Sequence, residues 1–434
     1  MFEDVPVQCL VEALDGHEFV ASPAAGPVDL QHLDAIEALE RLARWVAAKQ
    51  YELVGALHEH RADQQWNTPE ATQSVQTEVA MARQVSRSAA ERQVDRAMVL
   101  QHLPQVARLL ATGAVCDRVV AEVADEARTL DADAIAVLDA RIAPVLTGLT
   151  PKRAEHAARA MVMQIDPCAA EQQSRRHRTD RFVSTGPGPV GTAWLRIHGP
   201  IEHVSAAYDA VHAHAAGRFA DGDPRTMGQL MCDTAIERLT GLPDATSPGA
   251  VGIEIGVLMD TDSLLGHQDV PAMMAGYGPL PAGLVRHLVD HTSQVWVRRL
   301  FTDPLDDTIT ARDPRRRRFD GPLRHLIATA ERHCQRPGCD CRPRDVDHVT
   351  EHAAGGDTTI ANAQSLCRPD HTVRHYRHWD VTRDPLTGTT TWHTPSGRTY
   401  QATRPPALGH GLQRTVRYRS PLERELARLA HPAP

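Results

Sequence analysis

Residues 334–375 concentrate the side chains that can do chemistry. Cys334 and Cys339 flank a Pro337-Gly338 turn, and Cys367 and Asp370 form a second short pair. A tight turn lets two thiolates face one centre, so these four groups suit a tetrahedral structural zinc, with Cys341 as an alternative member of the set. Between the pairs stand Asp347-His348, Gly355-Gly356-Asp357-Thr358 and Asn362, and the second pair runs on into His371 and His375. Neighbours on a strand point to opposite sides, so Asp347 can ligate a hard cation while His348 faces a reacting phosphate. His371 and His375 are four residues apart and share one face of a helix expected over 366–378. Asp347 with His371, and with His375 as an optional third group, makes a metal site that keeps positions open for water and substrate. A neutral imidazole at His348 can accept a proton from water, and the Asn362 amide is placed to hold that ring in orientation.

The elements around this cluster follow from periodicity and composition. Residues 1–170 read as a helical bundle. Leu39, Leu42, Val46, Leu53 and Leu57 mark one face of a helix near 31–60, and further helical stretches fall at 75–103, 105–129, 131–146 and 151–165. An α+β region spans 175–302, with strands at 180–185 and 192–198, helices at 201–217 and 226–240, and an apolar strand Val251–Met259. The loop Gly186-Pro-Gly-Pro-Val-Gly191 matches GxGxxG in form. A strand rather than a helix follows it, so a hairpin turn is the better reading than a dinucleotide site. Residues 303–320 read as a linker carrying the run Arg315–Arg318, 321–404 as a small domain of short strands and one helix, and 405–434 as a tail with a helix at 420–430.

Charge divides along the same lines. The chain of 434 residues has a formal net charge of −8. Residues 311–434 hold 21 arginines against 13 acidic groups, while residues 1–310 hold 26 basic against 42 acidic, leaving +8 and −16. The basic third contains the cysteine cluster and is the part suited to phosphate. The composition, 42% hydrophobic and 24% charged, is that of globular material. No uncharged apolar run approaches the roughly 18 residues of a membrane span, and the acidic start Met1-Phe2-Glu3-Asp4 lacks a signal-peptide pattern, so a cytoplasmic location is the expectation. In that compartment the eight cysteines are not a disulfide framework. Neither a P-loop nor a Gly-x-Ser-x-Gly elbow occurs.

The order Asp347-His348, Asn362, His371, framed by paired cysteines and Gly355-Gly356, resembles the HNH nuclease motif. It is most similar to the actinobacterial HNH proteins that carry a large helical N-terminal domain of unknown function (number 222), the group of the mycobacterial 13E12 repeat. Trp379-Asp-Val-Thr, Thr391-Trp-His393 and Gly397-Arg-Thr-Tyr400 follow the motif as they do in that group, and Gly222–Met227 and Ala275–Leu280 extend the likeness. The likeness is closest over 324–404 and looser before 170. It implies a mainly α N-terminal region, then an α+β region, then a zinc-stabilised ββα-metal finger. It further implies hydrolysis of DNA phosphodiester bonds, double-stranded DNA first, with His348 as general base and Asn362 as the motif's middle residue. Asp347, His371 and His375 would be ligands of a catalytic divalent cation (Mg2+ or Mn2+, with Zn2+ or Ni2+ as alternatives). Cys334, Cys339, Cys367 and Asp370 would hold structural zinc. Arg342, Arg344, Arg374 and Arg377 are the expected phosphate contacts, and the N-terminal region is expected to bind a protein partner or to self-associate. Three departures from the family pattern stand out: Asp370 in place of a histidine or cysteine, Arg374 in place of a lysine, and Ala363 in place of a leucine.

Overall fold

The apolar periodicity of the first third produces a bundle of helices. In a computed structural model, the described residues are 9, 27–64, 66–241, 257–274, 276–290, 319, 321–384 and 387–407. The expected linker (apart from Phe319), the Arg315–Arg318 run, the tail helix and most of the strand expected at Val251–Met259 lie outside them. The chain divides into two compact units, Met1–Arg176 and His177–Pro434.

The first unit contains α1 (Val28–Asp63), α2 (Thr68–Arg83), α3 (Arg87–Leu100), α4 (Pro104–Ala111), α5 (Asp117–Ala127), α6 (Ala132–Leu146) and α7 (Pro151–Ile165). The helix α8 (Pro167–Thr179) leads out of it. The single helix expected over 75–103 is two. Gln84 takes a left-handed conformation (φ 53°) and ends α2, and the Ser86 hydroxyl caps α3 by accepting from the Ala89 N–H. No glycine marks this break, so periodicity alone runs through it. The stretch 105–129 is likewise two helices, parted at Gly113 (φ 78°), where the Ala114 N–H reaches the Leu109 carbonyl at 2.8 Å. Buried Asp139, on α6, supplies the cap that α4 lacks locally: its carboxylate accepts from the Gln105 and Val106 N–H groups at 2.9 and 3.0 Å. Val75, Val94, Leu103, Leu138, Ile142 and Leu146 are fully enclosed in one apolar core.

The second unit starts with β1 (Phe182–Pro187) and β2 (Ala193–His198), an antiparallel hairpin with Phe182 opposite His198. Its turn is closed by Gly188 N–H on the Thr192 carbonyl at 3.0 Å, so the glycine loop is a hairpin turn. Helices α9 (Ile201–Ala220) and α10 (Met227–Thr240) follow, the latter opened by a Thr226/Gln229 capping box. A small sheet orders β3 (Val257–Leu258), β4 (Ala272–Met274) and β5 (Gly278–Leu280), with α11 (Thr261–Leu264) and α12 (Ala282–Asp290) beside it.

The last segment runs from α13 (Gly321–Ala330) through the antiparallel pair β6 (Asp345–His348) and β7 (Ala363–Leu366) to α14 (Arg368–Val373). It ends in a three-stranded sheet of β8 (Asp380–Arg383), β9 (Thr390–His393) and β10 (Thr399–Ala402). The helix expected over 366–378 stops at Val373. The chain continues in turns, and His378 (φ 65°) redirects it so that Trp379 meets Trp392 edge to face, with ring centroids 6.1 Å apart. Phe319, Ile327, Ala330, Ile360, Ala363 and Ala407 form the small apolar core of this segment. Buried Glu331 ties the sheet to the ββα unit, accepting from the Ser365 N–H at 2.6 Å and from Arg404 Nε at 2.8 Å. Among the described residues no helix is long and apolar enough to cross a membrane.

Candidate metal centres

The β6–β7 register sets both clusters. Asp345 lies opposite Leu366, and His348 opposite Ala363. Cys367 therefore follows directly from β7 as the N-cap of α14, and Asp370 falls in that helix's first turn. From the other side, the Cys334 N–H donates to the Cys341 carbonyl at 2.9 Å, and the Cys339 N–H to Arg336, closing the loop around Pro337-Gly338. The donor atoms of Cys334, Cys339, Cys367 and Asp370 all lie within 4.8 Å of one another, and all four residues are buried. Asp370 Oδ2 is the inward atom: the Cys334 and Cys367 thiols donate to it at 3.3 and 3.1 Å.

Three thiols and one carboxylate enclosed in this way could hold a metal ion. Burial raises the pKa of Cys334. Cys339, with the sulfurs of Cys334, Cys341 and Cys367 around it and Arg336 beside it, is held strongly toward thiolate. Cys341 also interacts with Cys339 and Cys367, and its pKa is raised by them. Arg336 was not singled out by the sequence. Its side chain is fully buried, and Nε donates to Asp370 Oδ2 at 2.9 Å. Burial works against its charge, but Asp370 and the neighbouring cysteines outweigh that and raise its pKa. Among the described residues its Nη2 has no hydrogen-bond partner. The carboxylate that departs from the family pattern thus has a guanidinium as its counter-charge, a pairing that could be suspected from Asp370 but not located.

The second cluster lies across α14. Ligand atoms of Asp347, His371 and His375 are within 4.8 Å of one another. His371 Nε2 is 3.8 Å from Asp347 Oδ1, and the His371 and His375 rings meet edge to face at 5.4 Å. His375 Nδ1 is 3.5 Å from Glu351, a second acidic group that sequence reasoning missed. For Asp347, burial acts to raise the pKa, but neighbouring His371 and the Arg374 charge lower it overall. The nearby Asp347 carboxylate raises His371, whereas burial lowers His375. An ionised carboxylate and two imidazoles fit a divalent cation with open coordination positions.

Arg374 corrects an expectation. It is buried rather than presented to a phosphate: Nη1 pairs with Asp347 Oδ2 and donates to the His348 carbonyl at 2.6 Å, and Nη2 reaches the Val349 carbonyl at 3.3 Å. Its carbonyl and carboxylate partners surround it, so it braces Asp347 and leaves Oδ1 toward His371. Arg342, Arg344 and Arg377 are exposed. Asn362 is a second correction. Its amide does not touch the His348 ring. Oδ1 accepts from the Thr350 N–H at 2.8 Å, and Nδ2 donates to the Thr350 and Asp357 carbonyls, both at 2.9 Å. His348 instead has its Nε2 at 2.9 Å from the Thr358 hydroxyl and packs on Phe319 with centroids 4.4 Å apart. Burial lowers the pKa of His348, which keeps its ring neutral near neutral pH.

Comparison with known families falls on the two parts separately. A domain of unknown function, DUF222, matches residues 33–327. The chain belongs to the DUF222 family. An HNH endonuclease domain matches residues 332–377, following the DUF222 region directly and enclosing both clusters. An uncharacterized protein of Mycobacterium tuberculosis is 28% identical over 371 residues, covering 74% of this chain and 69% of its own length. A second uncharacterized protein of that organism is 25% identical over 385 residues, covering 74% and 68%. No solved structure matches the chain. The expected order of a mainly helical DUF222 region, small sheets and a C-terminal HNH finger is therefore the architecture of this molecule.

Proposed function

We propose that the chain is a metal-dependent endonuclease that hydrolyses phosphodiester bonds of double-stranded DNA, with residues 321–404 as its working module. The observation that carries the reading is the convergence of Asp347, His371 and His375 within reach of one cation, one residue along β6 from a neutral His348. When bound, a divalent cation there would supply positive charge to the scissile phosphate and to the departing oxygen. The chain's own part begins with His348, which removes a proton from water. The hydroxide oxygen bonds to phosphorus as the bond to the 3′ oxygen breaks, and that oxygen takes a proton from solvent. The products carry 5′-phosphate and 3′-hydroxyl ends. Asp347, braced by Arg374, and the two histidines hold the cation; exposed Arg342, Arg344 and Arg377 meet the flanking phosphates. A structural zinc on Cys334, Cys339, Cys367 and Asp370 keeps the finger folded.

Nicking of supercoiled plasmid with Mg2+ or Mn2+, set against EDTA, tests the reading. His348→Ala is expected to keep the fold and to lose about 10²–10⁴ in cleavage rate, the usual contribution of a placed general base. Unchanged nicking by that variant removes the assignment.

A further inference from the structure

We infer that Thr358 is the residue that orients the His348 imidazole, fixing Nε2 as its protonated nitrogen and leaving Nδ1 to receive the proton from water. The inference rests on the nuclease reading above and adds a positioning residue to it.

The Asn362 amide makes its bonds elsewhere: both N–H groups donate to the Thr350 and Asp357 carbonyls, Oδ1 accepts from the Thr350 N–H, and none of these bonds reaches the ring. What Asn362 does is clamp the loop between β6 and β7. The clamp is tight at Gly356, where an added Cβ would lie 1.9 Å from the Thr350 carbonyl oxygen and 2.7 Å from Asn362 Nδ2. Only glycine lets the backbone pass there. The loop emerges from this clamp at Asp357, and the next residue presents its hydroxyl to His348.

Thr358 is 1% exposed, so water does not compete for that hydroxyl. Phe319 covers the imidazole at 4.4 Å, and His352 stands edge-on at 5.8 Å. Opposite His348 on β7 is Ala363, whose small side chain leaves room for the ring. A hydroxyl beside a ring nitrogen can accept or donate, and the direction matters here. If Nε2–H donates to Oγ1, proton uptake at Nδ1 yields an imidazolium whose Nε2–H still has its acceptor. If Oγ1–H donated instead, Nδ1 would carry the proton and the ring could not act as base without turning the hydroxyl round. Only the first arrangement serves both protonation states without rearrangement.

The test uses the full chain, single-turnover plasmid nicking with Mg2+ or Mn2+, and two variants, Thr358→Ser and Thr358→Ala. Both lose the same methyl packing and differ only in the hydroxyl, so their ratio is insensitive to any shared loss of stability. Thr358→Ser is expected to cut at least about tenfold faster than Thr358→Ala, with equal half-saturating DNA concentrations, as suits a residue acting on the base. Equal rates for the two, in a wild type that cuts, overturn the role of Thr358 alone. A wild type that leaves the plasmid intact with every divalent ion overturns the nuclease reading and this inference with it.

Discussion

The helical unit and the HNH finger are stabilised by different means. In the helical unit, Val75, Val94, Leu103, Leu138, Ile142 and Leu146 form a continuous apolar interior. Its buried charges are few and locally answered: Arg61 meets Glu78 at 2.8 Å and donates to the Ser74 hydroxyl at 2.8 Å. The finger has one small apolar cluster, while Glu331, Arg336, Gln364, Ser365 and Asp370 are all 1% exposed or less. A bundle of this size can rely on buried area. A finger of some 80 residues has too little interior for that alone; it adds paired buried charges, and the proposed zinc would supply the rest. Polar interiors also fix geometry, which is what a reaction centre needs and an apolar core does not supply.

The largest expected difference between the two regions is therefore the response to metal removal. Stripping zinc with a strong chelator should unfold the finger and leave the melting of the helical unit unchanged. Zinc at thiolate-rich sites contributes on the order of 10 kcal/mol to small folds, more than any single core contact. Calorimetry with and without chelator, beside elemental analysis for one zinc per chain, reads this directly. A finger transition that ignores the chelator breaks the contrast. Asp370→Ala comes next. It removes one proposed ligand and leaves Arg336 buried without its counter-charge, a loss of about 3–5 kcal/mol in the finger alone. The finger's own transition in denaturant, followed through Trp379 and Trp392 fluorescence, measures it.

How much of this was legible in the sequence divides by range. The order Asp347-His348, Asn362, His371, His375 could be placed because strand alternation and the four-residue helical step are local rules. The same rules carried α1 over 36 residues. The misread features depend on contacts across the fold. The sequence places Arg374 among the phosphate contacts because an arginine beside a nuclease motif has no local mark of burial; the strand carrying Asp347 decides where it points. Asn362 holds the loop between β6 and β7 rather than the His348 ring because the path of that loop is set by close packing at Gly356. The break between α2 and α3 falls on Gln84, a residue whose type does not announce a left-handed turn.

The smallest expected effect lies in the helical unit and concerns pH. His58 is buried on α1, with Nε2 at 2.9 Å from the Thr72 hydroxyl. Burial lowers its pKa below the ordinary 6.5, and the nearby Glu59 only partly offsets this. The folded state therefore favours the neutral ring, while the unfolded chain takes up a proton first as pH falls. The stability this provides is fully present above pH 6.5 and is lost as pH falls through the lowered folded value. His58→Gln keeps a hydrogen-bonding side chain but cannot titrate. The melting temperature of the helical unit should thus fall less steeply in the variant than in the wild type between neutral and mildly acidic pH. Identical slopes would mean that the ring protonates in place, and that even the apolar half of the molecule tolerates charge at that position.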